Sequence, residues 1–236
     1  ENSTLDSMPL NSLHGTYIAK IIARDAPNAA IINAKVVGDD NTATPVGIVQ
    51  AIYWSVLVAN CNIINLSLGM DIISGDIVED AVRWAFQQGV CIVAAAGNNG
   101  QDGISGSSID SPAAYPEAIA VAAIDDLLAP YSFSGRGPLR NRIVKPDVAA
   151  SGYYVENGGT LFGTSFAAPI VSAGAARIIE FCLSNNWAWT PGLVKAAIMA
   201  SASKIPLEVW EVGVGKLNLE AALNYINNAQ KADTLP

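Results

Sequence analysis

A seven-residue stretch, GTSFAAP at Gly163–Pro169, predicts a tight glycine turn that places Ser165 at the start of a helix. Helix-forming residues follow the glycine turn at once, so we expect Ser165 to open a helix that runs to about Phe181. Pro169 fits the first turn of such a helix, where a missing N–H costs little. Unpaired N–H groups and the positive end of the helix dipole favour negative charge there, as an acyl-transfer nucleophile requires. The alternative interpretation is that Ser165 is only an N-cap.

Composition limits the class of protein. The chain has 236 residues, of which 51% are hydrophobic and 14% charged, so we expect one globular domain over residues 1–236. A formal net charge of −8 disfavours nucleic acid and anionic membrane surfaces as partners. No uninterrupted apolar run reaches the length of a bilayer crossing, so we predict a soluble protein without a membrane span, in a compartment that the sequence leaves unknown.

Cysteine usage adds no metal site. The three cysteines, Cys61, Cys91 and Cys182, lie in apolar segments and lack the spacing of metal ligands. We interpret them as buried thiols, and they do not indicate whether the protein works in an oxidising or a reducing compartment.

Helical and strand-like apolar spacing alternate along the chain. Six helices are predicted: one after His14-Gly15-Thr16, two over 46–60 and 74–88, and three that begin at Ser165, at Thr190 and after Asn218. The predicted strands span 29–37, 62–67, 90–96 and 118–124. This order predicts an α/β fold of three layers, with a mostly parallel central sheet and helices on both faces. Ligands bind such sheets beyond the carboxyl ends of the strands, where Ser67-Leu68-Gly69 and Gly97-Asn98 lie.

Two further side chains are suited to acyl-transfer chemistry. His14 is the only histidine, and at the start of a helix its ring can act as a general base towards a nucleophile, although a lone histidine is more often structural. Asn98 follows a buried strand, and its amide can donate to an oxyanion without changing charge. The alternative for Asn98 is a backbone role, because asparagine tolerates left-handed turns.

Several motifs in the same order resemble the subtilases, the subtilisin-like serine proteases. The histidine motif is His14–Ala19 (HGTYIA), the oxyanion segment is Ala94–Asn98 (AAAGN), and the serine motif is Gly163–Pro169. Weaker echoes are NLSLG at 65–69, SPAAYP at 111–116, KPDVAA at 145–150 and GKLN at 215–218. The resemblance covers nearly the whole chain and implies a subtilisin-like fold.

The resemblance implies a serine endopeptidase that works through an acyl-enzyme. Ser165 would be the nucleophile, His14 the base and then the acid, and Asn98 with the Ser165 N–H the oxyanion hole. Peptide or protein substrates would bind along Ser67, Leu68 and Gly69 as an added β-strand. The segment 94–97, with Ala96 and Gly97, would line the pocket for the side chain before the scissile bond, and Thr164 would also bind substrate.

Asp110 matches a position near the base of the family's pocket for the side chain before the scissile bond. A carboxylate there would favour arginine or lysine in the substrate. The alternative is a loop aspartate that bonds its own backbone, and the sequence does not decide between the two.

One part of the family's pattern is weak. The triad aspartate of the family ends an apolar strand well before the histidine, whereas thirteen residues precede His14 and Asp6-Ser7 is followed by Met8 instead of glycine. We expect a separate or cleaved N-terminal fragment to carry this aspartate and complete the triad, and an N-terminal fragment or a prodomain to be associated with the chain. The alternatives are a fragment that keeps the fold but works poorly, and an inactive binding or regulatory module.

No cofactor is required by this chemistry. Subtilases often hold calcium in surface loops, and Asp39-Asp40, Asp71 and Asp125-Asp126 are rich enough in oxygen. Their spacing is not diagnostic, and a solvated acidic face is the alternative, so we predict no metal ligand by residue.

Overall fold

The computed structural model describes residues 13–38, 42–72, 75–100, 107–139 and 143–232, without the side chains of residues 231 and 232. Helices α1 to α7 in those ranges are His14–Asp25, Pro45–Leu57, Ile77–Gln87, Thr164–Ser184, Pro191–Ala200, Val209–Val212 and Leu219–Ala232. Strands β1 to β6 are Ile63–Leu66, Cys91–Ala95, Ala118–Ile124, Val148–Ser151, Tyr153–Glu156 and Gly159–Phe162.

The central sheet consists of four parallel strands in the order β1-β2-β3-β4. Every residue of β2 and β3 is buried, which agrees with their uninterrupted apolar sequence. Strands β5 and β6 form a separate antiparallel pair. The predicted parallel α/β fold is therefore confirmed, with a hairpin that the sequence analysis had not predicted.

Helices cover both faces of the sheet and give the three predicted layers. On one face, Ile48 of α2 and Val82 of α3 pack with Ile64 and Ile92. On the other face, α4, α5 and α7 pack against β2 to β4, with Val171, Ile198 and Ile226 among the buried residues. Burying one such side chain contributes about 1.5–3 kcal/mol relative to exposure, so the two cores hold the helices against the sheet.

Capping residues explain several helix starts. The Thr44 hydroxyl accepts from Gly47 N at 3.1 Å, and the Thr190 hydroxyl accepts from Leu193 N at 3.1 Å, each followed by proline at the first helical position. The helix predicted over 74–88 begins instead at Ile77, because Asp76 caps it. Gly89, the predicted end of that helix, has a φ of +90° and follows it as expected.

The strand predicted over 29–37 is wrong. The segment forms no strand within the described residues, and Ile31 and Ile32 are 42% and 48% exposed. Apolar β-branched residues pair into a sheet only where a neighbouring strand is present. Strand β1 likewise has β2 as its sole partner among the described strands, so its other edge is unpaired within the described part of the chain.

Helix α4 is long and apolar enough to cross a membrane, although we predicted no such segment from the sequence. Thr164–Ser184 is the one helix of the described residues with this property, and 67% of its most apolar stretch is buried inside the fold. It packs against β1 to β4 and against α1, α5 and α7, as a core helix does. Its apolar surface is therefore used in the core.

Candidate active site

His14 is the first residue of α1 and is held there by aromatic packing. Its ring lies 6.0 Å from that of Phe166, measured between centroids, and the Tyr154 ring stacks on Phe166 at 6.1 Å. Tyr17, one turn after His14, contacts Tyr154 at 5.2 Å. This aromatic cluster fixes α1 against the start of α4, and burial lowers the pKa of the His14 imidazole below its ordinary value of 6.5.

Ser165 is the second residue of α4, so its interpretation as an N-cap is wrong. Gly163 occupies the cap position, and the Ser165 hydroxyl donates instead to the Ser67 carbonyl at 3.2 Å. Helix α4 extends to Ser184, three residues beyond the predicted end. The Ser165 side chain is partly exposed, at the end of the helix where backbone N–H groups converge.

Pro169 lies in the second turn of α4, whereas we expected it in the first. Proline has no N–H, so the Ser165 carbonyl loses the helical donor four residues later. The Ser67 hydroxyl fills that place, donating to Ser165 O at 2.8 Å. Asn65 donates to the same hydroxyl at 2.9 Å and accepts from Ser172 at 2.8 Å. A polar chain from β1 therefore fixes the backbone of Ser165.

Asn98 is exposed in the loop after β2, and Thr164 fixes its orientation. The Asn98 Oδ1 accepts from the backbone N and from the hydroxyl of Thr164, both at 3.0 Å. Because the oxygen faces Thr164, the amide nitrogen of Asn98 is directed away from it, and it forms no hydrogen bond to another described residue. Thr164 is fully buried, so its contact is with Asn98 and Gly97 and not with the cleft.

One cleft brings the three predicted catalytic residues together. It has a volume of about 240 Å³, and its lining includes His14, Asn98 and Ser165. Residues of the unpredicted hairpin, Leu161 and Phe162, form another part of its wall. Among the described residues no hydrogen bond joins Ser165 to His14, so such a bond requires the hydroxyl to leave the Ser67 carbonyl.

The segments predicted to bind substrate meet at Asp110. A Cβ on Gly69 would lie 2.5 Å from Asp110 Oδ2, and a Cβ on Gly97 would lie 2.6 Å from Asp110 Cγ. A side chain at either position would therefore force the Asp110 carboxylate to shift. Ala96 is buried next to Gly97, and its carbonyl accepts from Asp110 N at 3.0 Å.

The Asp110 carboxylate lacks a compensating charge within the described part of the chain. Its side chain forms no hydrogen bond to another described residue there, so the predicted alternative of a bond to its own backbone is not observed. Burial, and secondly the charge of Asp71, raise the pKa of Asp110 to about 6. A partly desolvated, unpaired carboxylate is suited to a cationic ligand.

No carboxylate in the described residues reaches His14 by a hydrogen bond. Asp6, which faintly echoes the family's triad aspartate, lies outside the described residues, as do Asp39 and Asp40. The charge partner of the imidazole is therefore not among residues 13–38, 42–72, 75–100, 107–139 and 143–232.

The acidic loops in the described part of the chain do not assemble a metal site. No group of three or more His, Cys, Asp or Glu side chains gathers there. Asp125 Oδ1 accepts from Leu127 N and Ala129 N at 2.9 and 2.8 Å, and Asp126 accepts from the Tyr153 hydroxyl at 3.1 Å. Each of these two carboxylates therefore has hydrogen-bond partners within the fold.

The sequence contained signals for features that we had not predicted. Asn157-Gly158 forms the two-residue turn of the β5–β6 hairpin, with φ of +51° and +77°, and Asn-Gly is a strong hairpin signal. The cysteine prediction holds for Cys91 and Cys182, which are buried free thiols, whereas Cys61 is partly exposed.

Comparisons with known proteins identify the family of the chain. The model of the Subtilase family matches residues 2–230. Subtilisin of Bacillus pumilus is 33% identical over 226 residues, which cover 89% of this chain and 77% of that protein, and subtilisin DY of Bacillus licheniformis is 34% identical over 220 residues with the same coverage.

Solved structures extend the similarity to the fold. The self-cleaved protease domain of PatA has a TM-score of 0.77 and 30% identity, covering 94% of this chain and 87% of that one. The prenylagaramide maturation protease PagA has a TM-score of 0.73 and 28% identity, covering 90% and 82%. This chain therefore belongs to the subtilase family of serine-type endopeptidases.

Proposed function

We propose that the chain hydrolyses peptide bonds through an acyl-enzyme on Ser165, with His14 as the general base and then the general acid. The convergence of His14, Asn98 and Ser165 on one cleft is the observation that supports this most. His14 takes the Ser165 proton as the hydroxyl attacks the scissile carbonyl, and returns it to the leaving amine. Water then attacks the acyl-enzyme, with His14 again as base.

Negative charge on the attacked carbonyl oxygen is stabilised by two donors. One is the amide of Asn98, which Thr164 orients through the opposite end of the side chain. The other is the Ser165 N–H, which has no hydrogen-bond partner among the described residues. Both donors are in place before reaction and are directed at the charge that develops in the transition state.

The substrate backbone is proposed to pair with the segment after β1. The backbones of Leu68 and Gly69 form no hydrogen bond to another described backbone group, so they are available to an added strand. Gly69 is exposed, and the Asp110 carboxylate lies against it. The substrate residue before the scissile bond is therefore proposed to be arginine or lysine, paired with Asp110.

The orienting carboxylate is proposed to enter on a strand at the edge of β1 that no described strand pairs. Val36, at the end of the exposed segment 29–37, packs against the same core as Ile64 and Leu66 of β1. A strand inserted there would pair the backbone of β1 and cover Ile31 and Ile32, and the carboxyl ends of parallel strands lie at the cleft. A separate or cleaved N-terminal fragment is the proposed source.

A peptide-addition experiment tests this proposal. The protein is assayed on a fluorogenic peptide with arginine before the scissile bond, with and without an added peptide of β-branched residues that ends in Asp-Ser-Gly. We expect the peptide to raise kcat by up to about 10⁴-fold, because removing the aspartate from the subtilisin triad lowers kcat by a factor of this order. A peptide ending in Asn-Ser-Gly is the matched control and should bind without this increase.

The alternative function is a catalytically weak or silent subtilase-like module that binds peptides. It is favoured by the absence of a carboxylate on His14 within the described residues and by the Ser165 hydroxyl donating to Ser67. Intact-mass measurement and N-terminal sequencing of the purified protein separate the two. An accompanying fragment with an apolar strand and Asp-Ser/Thr-Gly supports the protease, whereas equal activity with both added peptides contradicts the proposed role of the strand.

A further inference from the structure

Asp76 is a buried carboxylate that does more than cap α3. It is 4% exposed, and no cation pairs with it among the described residues. Its Oδ1 accepts from Val78 N at 2.9 Å, as an N-cap does. Its Oδ2 accepts from the Ser111 hydroxyl at 2.7 Å and also from the Tyr115 hydroxyl.

A neutral side chain would have sufficed for the cap alone. Thr44 and Thr190 cap α2 and α5 with hydroxyls, and both are accessible to solvent. A buried charge without a cation costs far more than a buried hydroxyl unless several hydrogen bonds satisfy it. The second oxygen of Asp76 therefore needs its own explanation, which the two hydroxyls supply.

Ser111 and Tyr115 close the hydrogen-bond network. Their hydroxyl oxygens are 2.8 Å apart, so each contacts the other as well as Asp76. Ser111 is fully buried and Tyr115 is 4% exposed. Burial and the bond to Asp76 raise the pKa of Tyr115, which therefore stays protonated as a donor. The three side chains lock the turn at 111–115 onto the N-terminus of α3.

This network lies directly behind the proposed specificity pocket. Ser111 follows Asp110, and its backbone pairs with Met70 through two hydrogen bonds of 2.9 and 3.0 Å. Met70 in turn follows Gly69, against which the Asp110 carboxylate rests. The Asp110 side chain and one wall of its pocket are therefore both attached to Ser111.

We propose that Asp76 and Tyr115 are positioning residues that hold the Asp110 carboxylate between Gly69 and Gly97 and so maintain a preference for a cationic residue before the scissile bond. The inference rests on the proposed endopeptidase function and its Asp110 pocket. Neither residue touches the substrate. Loss of the network lets the turn at 111–115 move, which exposes the Asp110 carboxylate to water and weakens its pairing with a substrate cation.

Tyr115→Phe and Asp76→Asn test the proposal, because the first removes one hydroxyl and the second keeps a good N-cap. The first readout is the ratio of kcat/KM for peptides with arginine and with alanine before the scissile bond. The second is the titration of the Asp110 carboxyl carbon by NMR, assigned with Asp110→Asn. Tyr153→Phe is the matched control, since it removes an exposed hydroxyl–carboxylate bond to Asp126.

We expect Tyr115→Phe to lower the arginine-to-alanine ratio by up to about tenfold, because the effect on Asp110 cannot exceed that of the lost hydrogen bond to the charged Asp76. The pKa of Asp110 should fall from about 6 towards its ordinary value, and Asp76→Asn should change both readouts in the same direction. Tyr153→Phe should change neither. A residue with only a structural role would lower stability and leave both readouts at wild-type values.

Failure of the two proposals can be told apart. If the wild-type protein cleaves both peptides equally, the pocket assignment is wrong, and the Asp110 titration alone decides whether the network positions that carboxylate. If Tyr115→Phe and Asp76→Asn both titrate as the wild type does, the positioning role is overturned whatever the substrate preference.

Discussion

The Asn98 side-chain oxygen and Thr164 are joined by two hydrogen bonds of 3.0 Å, one from the Thr164 N–H and one from its hydroxyl. The backbone donor fixes which end of the Asn98 amide is oxygen, because an N–H can bond only to an acceptor. The amide nitrogen is therefore the end available to a substrate. This relationship gives a buried threonine a role in the chemistry that we propose for Asn98.

We predict that Asn98→Ala lowers kcat about 10²–10³-fold with little change in KM, the range found on removing this type of donor from the oxyanion hole of subtilisin. Thr164→Val should lower kcat about tenfold, since it removes one of two bonds that orient Asn98. Thr164→Ser keeps the hydroxyl and is the control. Steady-state kinetics measure all three, and a Thr164→Val variant with wild-type kcat would contradict the orienting role.

Ser67→Ala provides a second prediction, about the nucleophile's backbone. Without the Ser67 hydroxyl, the Ser165 carbonyl has no donor in place of the missing N–H of Pro169. We expect the free energy of unfolding in urea to fall by about 1–3 kcal/mol, and kcat to fall as Ser165 loses its fixed position. Ser67→Thr keeps the hydroxyl and should restore both. Unchanged stability in Ser67→Ala would show that the carbonyl has another partner.

The pH dependence of His14 provides a third prediction. A general base must be neutral, and burial lowers the pKa of His14 below 6.5, so without an orienting carboxylate the acid limb of kcat/KM should lie below pH 6.5. A carboxylate beside the imidazole favours its charged form and raises this pKa. The Asp-Ser-Gly peptide should therefore move the acid limb to higher pH.

The measurement is the pH profile of kcat/KM on a peptide with alanine before the scissile bond. With this substrate, ionisation of Asp110 does not affect binding of the side chain before the scissile bond. The Asn-Ser-Gly peptide should leave the acid limb in place. If the Asp-Ser-Gly peptide leaves the acid limb of the kcat/KM profile unchanged, the carboxylate of the peptide does not reach His14.

Asp110→Asn provides a fourth prediction. Cleavage after arginine or lysine should fall about tenfold to a hundredfold, while cleavage after alanine should change little, because only the cation loses its charged partner. With the pKa of Asp110 at about 6, the wild-type preference for arginine should rise as pH increases through 6, and that of the variant should stay flat. Asp71→Asn, at an exposed neighbour, is the control and should have a smaller effect.

Asp110→Asn should raise the stability of the folded chain at high pH, although it lowers cleavage after arginine. The pKa of Asp110 is raised in the folded chain from its ordinary value of 3.8 to about 6, so the folded state binds the extra proton and loses relative stability as pH rises from about 4 to 6. Asp110→Asn should therefore unfold at a higher urea concentration than wild type at pH 8 and match it near pH 4. A variant less stable than wild type at pH 8 would show that the carboxylate has a favourable partner.

Much of the fold could be predicted because buried parallel strands have a simple pattern. Residues 118–124 were predicted as a strand with the observed bounds, and all seven are buried. Segment 29–37 has the same β-branched character, yet it forms no strand. Periodicity reports that residues are apolar, but whether they are buried depends on a neighbouring strand supplied by another part of the protein.

The site could be predicted only as far as residue type and motif allow. The motifs identified His14, Asn98 and Ser165, which the structure brings to one cleft. They did not indicate that the Ser67 hydroxyl takes the place of the N–H missing at Pro169, or that Asp76 bonds Ser111 and Tyr115. Such contacts join residues distant in sequence, and no local pattern records them.

Labelling with a serine-directed fluorophosphonate tests the central claim, that the Ser165 hydroxyl is an activated nucleophile, most directly. Intact mass and peptide mapping are measured for the wild type, Ser165→Ala and His14→Ala, each with the Asp-Ser-Gly peptide. We predict one phosphonyl group on Ser165 of the wild type, none on Ser165→Ala and much slower labelling of His14→Ala. Wild-type protein that stays unlabelled under these conditions, or that is labelled at another residue, would contradict the account.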